Sequence, residues 1–151
     1  MRILNYLLIA VLLLSGCGSV FGQDYSKKSV KELLPLAEQG DSEAQFYLGV
    51  AYNNGRGVRK NQQKAFWWWR VAAAQGHARS QSVLGAMYGL GQGVPKDYVL
   101  AYNWLNLSAA QGEKDAAEAR DDIAKRMTPS QIQEAQTLAR EFKPKKEKPK
   151  K

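Results

Sequence analysis

The stretch from Gln39 to Gln75 matches the stretch from Gln75 to Gln111 at a fixed offset of 36 residues, with 15 of 37 positions identical and no gap. Among the shared positions are Gly40/Gly76, Gln45/Gln81, Leu48/Leu84, Gly49/Gly85, Tyr52/Tyr88, Gly55/Gly91, Gly57/Gly93, Ala65/Ala101 and Trp68/Trp104. Glycine, alanine and aromatic residues recurring at such a period mark a stacked array, in which each unit buries its apolar face against its neighbour. An array of this kind is a surface for holding something more than a pocket for chemistry.

Within each copy the apolar spacing is helical. Ala44, Tyr47, Leu48 and Ala51 fall on one face of a helix over residues 42–53, with Asp41 placed as its N-cap and Gly55 where a left-handed residue ends it. A second helix is predicted over residues 62–75, with Ala65, Trp68 and Ala72 on one face. The second copy repeats the plan over residues 78–89 and 97–111, with Asp97 as a cap. Upstream, the Ser29-Val30-Lys31-Glu32 capping box opens a helix reaching Gln39, which Pro35 should kink. Downstream, Arg120-Asp121 replaces the expected Leu-Gly. Ala116, Ala119, Ile123 and Met127 keep one apolar stripe opposite a charged face, as a terminal cap requires. Thr128-Pro129-Ser130-Gln131 begins a last helix, to about Phe142.

Ala-x-x-Gly, Ala-x-x-x-Leu-Gly-x-x-Tyr, Gly-x-Gly-Val and Lys-Ala-x-x-Trp-x-x-x-Ala-Ala, over residues 29–127, resemble the Sel-one-like repeat family, relatives of tetratricopeptide repeats. In the second copy Ser80 stands for Ala and Leu100 for Lys. The fold expected is therefore an all-α solenoid of antiparallel helix pairs, about seven helices, in a tetratricopeptide-like right-handed superhelix. Its domain spans residues 29–142, with repeats at about 37–72 and 73–108. The resemblance implies an adaptor that binds a protein or peptide partner on its concave face. Tyr52, Asn53, Asn54 and Tyr88 are candidate contacts.

The first residues read as an export address. Arg2 precedes an apolar run from Ile3 to Leu14, too short to span a bilayer but suited to a signal peptide. Leu14-Ser15-Gly16-Cys17 resembles a bacterial lipobox, which makes Cys17 the lipidated N-terminus of the mature chain and residues 17–28 a flexible tether. Cleavage after Gly22, with Cys17 removed, is the alternative. Either way the protein is exported: to the periplasmic face of the outer membrane as a lipoprotein, or as a soluble periplasmic or secreted protein.

Net charge is +8, but residues 143–151 carry +5 and Arg2 lies in the address, leaving +2 for the folded part. The body therefore has no large field to steer nucleic acid. The tail is expected to be disordered and unable to pack. Its Lys143, Lys145, Lys146, Lys148, Lys150 and Lys151 are candidate contacts for anionic phospholipid or lipopolysaccharide, the alternative being a solvated tail that only aids solubility.

Little points to catalysis, and no cofactor or metal is expected. One cysteine excludes an internal disulfide and a cysteine-based zinc site. His77, the only histidine, is expected as an exposed first-turn residue. Some family members are linked to β-lactams through paired cysteines that this chain lacks, so a β-lactam-related or envelope-remodelling enzyme is the lesser alternative. In Phe66-Trp67-Trp68-Trp69, Trp68 belongs to the core, and Phe66 and Trp69 are at least half buried. Trp67 lies about 200° around the helix from Ala65 and is expected to face outward as a partner-binding residue. Packing on the N-terminal helix is the alternative.

Overall fold

A computed structural model of the chain describes residues 24–146. The segment read as an export address, with Cys17, and Lys148, Lys150 and Lys151, lie outside the described residues. A 3-10 turn, Tyr25–Lys27, precedes α1 (Val30–Glu38), α2 (Ser42–Asn54), α3 (Gln62–Ala74), α4 (Ala78–Leu90), α5 (Tyr98–Ala109), α6 (Lys114–Ala124) and α7 (Pro129–Glu141). The fold is an all-α solenoid of helical repeats, with seven α-helices and no strand among the described residues. Each helix from α1 to α5 packs against the next, whereas α7 packs on α5.

Local chemistry sets the boundaries. Asp41 Oδ1 accepts the Ala44 N–H at 2.9 Å, and Asp97 Oδ1 does the same for Leu100 at 2.9 Å. Asn61 caps α3 by accepting the Lys64 N–H, also at 2.9 Å. Gly55 and Gly91 end α2 and α4 at φ of 70° and 69°, a left-handed backbone that side-chain-bearing residues avoid. α1 continues through Pro35 to Glu38.

The tryptophan triplet follows from where α3 sits. Trp68 joins Tyr25, Leu33, Ala37, Ala44 and Leu48 in one core, and Trp69 joins Ala65, Ala73, Leu84 and Met87 in a second. A helix lying between neighbours must bury two faces, and adjacent residues about 100° apart supply one ring to each. Trp67 does not face outward. It is half-buried, packed against the first core and edge-on to Trp68 at 4.6 Å between ring centres. An outward Trp67 requires a single buried face on α3, and the N-terminal helix supplies a second.

Two buried glutamines tie the units together. Gln45 Nε2 donates to the Ala37 carbonyl at 3.0 Å, and its Oε1 accepts from Gln75 Nε2 at 2.6 Å. One repeat on, Gln81 Nε2 donates to the Ala73 carbonyl at 3.2 Å and Gln111 Nε2 donates to Gln81 Oε1 at 2.8 Å. Each relay links three consecutive helices.

Asn103 stands in α5 where α3 has Trp67, and it is 7% exposed with no partner for its Oδ1 among the described residues. A buried acceptor left unpaired costs about 1–3 kcal/mol. Asn103→Leu should therefore raise stability by about 1 kcal/mol and the melting temperature by a few degrees, read by thermal denaturation.

Candidate functional site

Because successive helices reverse direction, the array has two edges. The turns at Gly40, Gly76 and Gly112 lie on one. The loops after α2 and α4 lie on the other, about 20 Å away along a 13-residue helix.

Tyr52, Asn53 and Asn54 end α2 at the loop edge, and Tyr88 holds the matching place in α4. Tyr52 is half-buried, with Lys64 Nζ 5.2 Å from its ring centre. Its carbonyl accepts the Asn61 N–H at 2.8 Å, as that of Tyr88 accepts the Asp97 N–H at 3.0 Å. Asn53 Nδ2 donates to Asn54 Oδ1 at 3.0 Å. Tyr88 lies edge-on to Phe66, their ring centres 6.1 Å apart. These four candidates therefore share one edge, and Trp67 belongs to the core instead.

The same edge is more cationic in the first copy than in the second, which keeps only Lys96 at the place of Lys60. Arg59, Lys60 and Lys64 line a hollow with Tyr52, and Arg56 borders another with Lys27, Lys28 and Lys31. Arg56, Arg59 and Lys60 are exposed and form no ion pair among the described residues. The second copy has Gln92, Pro95 and Leu100 where the first has Arg56, Arg59 and Lys64.

The turn edge is aromatic and tightly bonded. His77 is not exposed there: its side chain is 11% accessible and caps α4. Its Nδ1 accepts the Ser80 N–H at 3.2 Å, which leaves the proton on Nε2 to donate to Glu43 Oε2 at 2.9 Å. Glu43 also pairs with Arg79, the residue at its own position one repeat on. The Arg79 guanidinium lies over Phe46 at 4.6 Å and Tyr47 at 5.4 Å. All the partners of this histidine are structural, and among the described residues no group of three or more His, Cys, Asp or Glu side chains could hold a metal ion.

Residues 24–28, expected as part of the tether, pack here instead. Tyr25 is buried, stacked on Tyr47, and its hydroxyl donates to Asp41 Oδ2 at 2.6 Å. That bond, with burial and the Asp41 charge, pushes the phenol from 10.0 up to about 12. A pKa raised by folding stabilises below the unfolded value and loses that contribution as pH climbs through the folded one. Stability should therefore fall between about pH 10 and pH 12 in urea titrations, and Tyr25→Phe should flatten that fall.

The tail also departs from expectation at its start. Pro144 lies on Gly76, and the Lys145 N–H donates to the Ala74 carbonyl at 2.8 Å. Lys143, Lys145 and Lys146 thus reach the turn edge, opposite Tyr52 and Tyr88. Nothing in the spacing of the lysines signals this, because the partners lie about 70 residues away in sequence.

The comparisons agree with this architecture. No curated protein matches the chain. A crystal structure of a protective antigen present in uropathogenic Escherichia coli strains, displaying an SLR fold, aligns with a TM-score of 0.70 at 36% identity. The alignment covers 75% of this chain and 24% of that one, so the chain spans about a quarter of the antigen's length. A Sel1 repeat protein from Oxalobacter formigenes aligns with a TM-score of 0.53 at 31% identity, over 72% of this chain and 97% of that one. Sel1 repeats match residues 42–77 and 78–113, the two helix pairs α2–α3 and α4–α5 with their following turns. With that register and a relative covered almost end to end, the chain belongs to the Sel1 repeat family.

Proposed function

We propose that this protein is an exported, lipid-anchored adaptor that binds a protein or peptide partner on the concave side of its array, in the bacterial envelope. Sel1 repeat proteins generally act as protein-interaction scaffolds. The observation that carries the reading here is the repeated loop edge, where Tyr52 and Tyr88 present half-buried rings at one register, with the Asn53 and Asn54 amides beside the first. Aromatic rings held on rigid helices bind with little loss of side-chain freedom. The lipobox at Cys17 supports anchoring to the periplasmic face of the outer membrane, since two or more buried acyl chains hold a protein stably.

Photocrosslinkers placed at Tyr52, at Tyr88 and at Glu118 of α6 test the adaptor reading in intact cells. A shared adduct from the two tyrosine positions and none from Glu118 is expected; equal labelling at all three rejects it. Cys17→Ser should move the protein from the membrane to the soluble fraction, and unchanged fractionation rejects lipid anchoring.

A second reading rests on the unpaired cations of the first loop, which suit an anionic phospholipid surface near the anchored end. Lysines and arginines at such a surface contribute about 1 kcal/mol each at low salt. Arg59→Glu with Lys60→Glu should weaken sedimentation of the unlipidated chain with phosphatidylglycerol vesicles about tenfold, and binding that is indifferent to salt and to these charges rejects the reading.

A further inference from the structure

The chain does not leave the array when α7 ends. The Phe142 ring meets Trp104 edge-on, 5.9 Å between centres. Pro144 then lies over Gly76, its Cγ 3.6 Å from the point a β-carbon there would occupy. The Lys145 N–H reaches the Ala74 carbonyl. Lys146 comes to a hollow lined by Tyr25, Gly40, Asp41, Glu43 and Gln75. The segment thus starts at the second repeat and heads along the turn edge towards the first.

Each contact uses a feature that the turn supplies. Ala74 is the last residue of α3, and a carbonyl there has no partner within its own helix. Gly76 holds the turn at a φ of 94°, which favours glycine, and Pro144 packs just beyond where its β-carbon would stand. Asp41 and Glu43 add negative charge where a lysine arrives. The period places Glu38 and Ala110 at the positions matching Ala74, and neither carbonyl accepts a backbone N–H among the described residues. The edge is therefore a row of equivalent acceptors beside glycines, with one filled.

We propose that this turn edge is a binding site for an extended Lys-Pro-Lys-Lys segment, filled in cis by residues 143–146. The proline packs beside Gly76, the following N–H donates to the Ala74 carbonyl, and the next lysine lines the hollow that holds Asp41 and Glu43. A partner peptide of the same chemistry enters by displacing the tail. This names a ligand class within the adaptor reading, but on the edge opposite Tyr52 and Tyr88, so the loop-edge crosslinks stand or fall separately.

Lys145→Pro tests it, because it removes the N–H of one exposed residue outside every helix and leaves the array intact. The probe is a synthetic peptide of residues 142–151, titrated into the unlipidated chain. A tethered tail competes at an effective concentration near the millimolar range. The Lys145→Pro chain should therefore bind the peptide at least about tenfold more tightly than the unaltered chain does, while a peptide carrying the same change should bind neither. In the unaltered chain the Lys145 amide should exchange with solvent more slowly than that of Lys143. Equal peptide affinity for both chains, equal binding of a scrambled peptide, or free exchange at Lys145 would each overturn the proposal.

Discussion

Gln45→Leu should lower the stability of the protein by about 2 kcal/mol, which lowers the melting temperature by roughly 8 °C for a domain of this size. Leucine has nearly the same volume and the site is fully buried, so little of that loss comes from a cavity. It comes from two hydrogen bonds. The Gln75 amide loses its acceptor, and the Ala37 carbonyl is left with backbone donors, the Gly40 N–H at 3.0 Å among them. Gln75→Ala removes one member of the relay at a partly buried position and should cost about 1 kcal/mol. Gln81→Leu repeats the experiment one unit along, with the Ala73 carbonyl and Gln111 in the same roles. The relays share no residue, so the loss in the Gln45→Leu, Gln81→Leu double variant should be close to the sum of the single losses. Urea unfolding monitored by tryptophan fluorescence reads all four. A loss below about 0.5 kcal/mol for Gln45→Leu would mean that the relay does not hold the units together.

How far the sequence reveals this structure depends on how far apart the interacting residues lie. Caps, left-handed glycines and helix faces are properties of four or five neighbours, so the expected boundaries fall within a few residues of α2 to α5 and α7. The repeat extends that reach, because a period fixes which positions share an environment. Tyr52 and Tyr88 can be placed on one edge from their register alone. A partner's identity in space is harder to read. Gln45 and Gln81 are polar residues copied faithfully inside an apolar stripe, and that anomaly is the signal that each has a fixed buried partner. Trp67 packs inward where periodicity alone points it outward, because periodicity describes one helix and not the number of neighbours around it. Composition is weakest at the chain's two flanks: Tyr25 and Pro144 sit in polar, charged surroundings, yet each is docked by a contact to a distant turn, at Asp41 and Gly76.

Gly49→Ala should be among the most damaging single changes in the array, at about 3 kcal/mol, although alanine in a helix normally stabilises by about 1 kcal/mol relative to glycine. A β-carbon on Gly49 would fall inside the Trp69 indole, overlapping the pyrrole edge. That ring is almost fully buried in the second core, and its Nε1–H donates to the Phe46 carbonyl at 3.2 Å. Making room displaces a rigid bicyclic side chain and breaks this bond. The equivalent Gly85 sets a milder test. Its β-carbon would meet Leu105 Cγ at 2.5 Å and the Ala101 carbonyl oxygen at 3.1 Å, so a leucine must change rotamer against a fixed backbone, at about 2 kcal/mol. Gly89 should be close to neutral, because the nearest atom is the tip of Ile123 at 2.9 Å, which can swing away and leaves the helix-propensity gain to offset the crowding. The order of loss should therefore be Gly49, Gly85, Gly89, measured by urea unfolding. Adding Trp69→Leu to Gly49→Ala installs the second copy's side chain against the first copy's backbone. If the indole is the obstacle, the pair should be more stable than the sum of the single losses predicts, by at least about 1 kcal/mol. Simple additivity would place the strain elsewhere in α2.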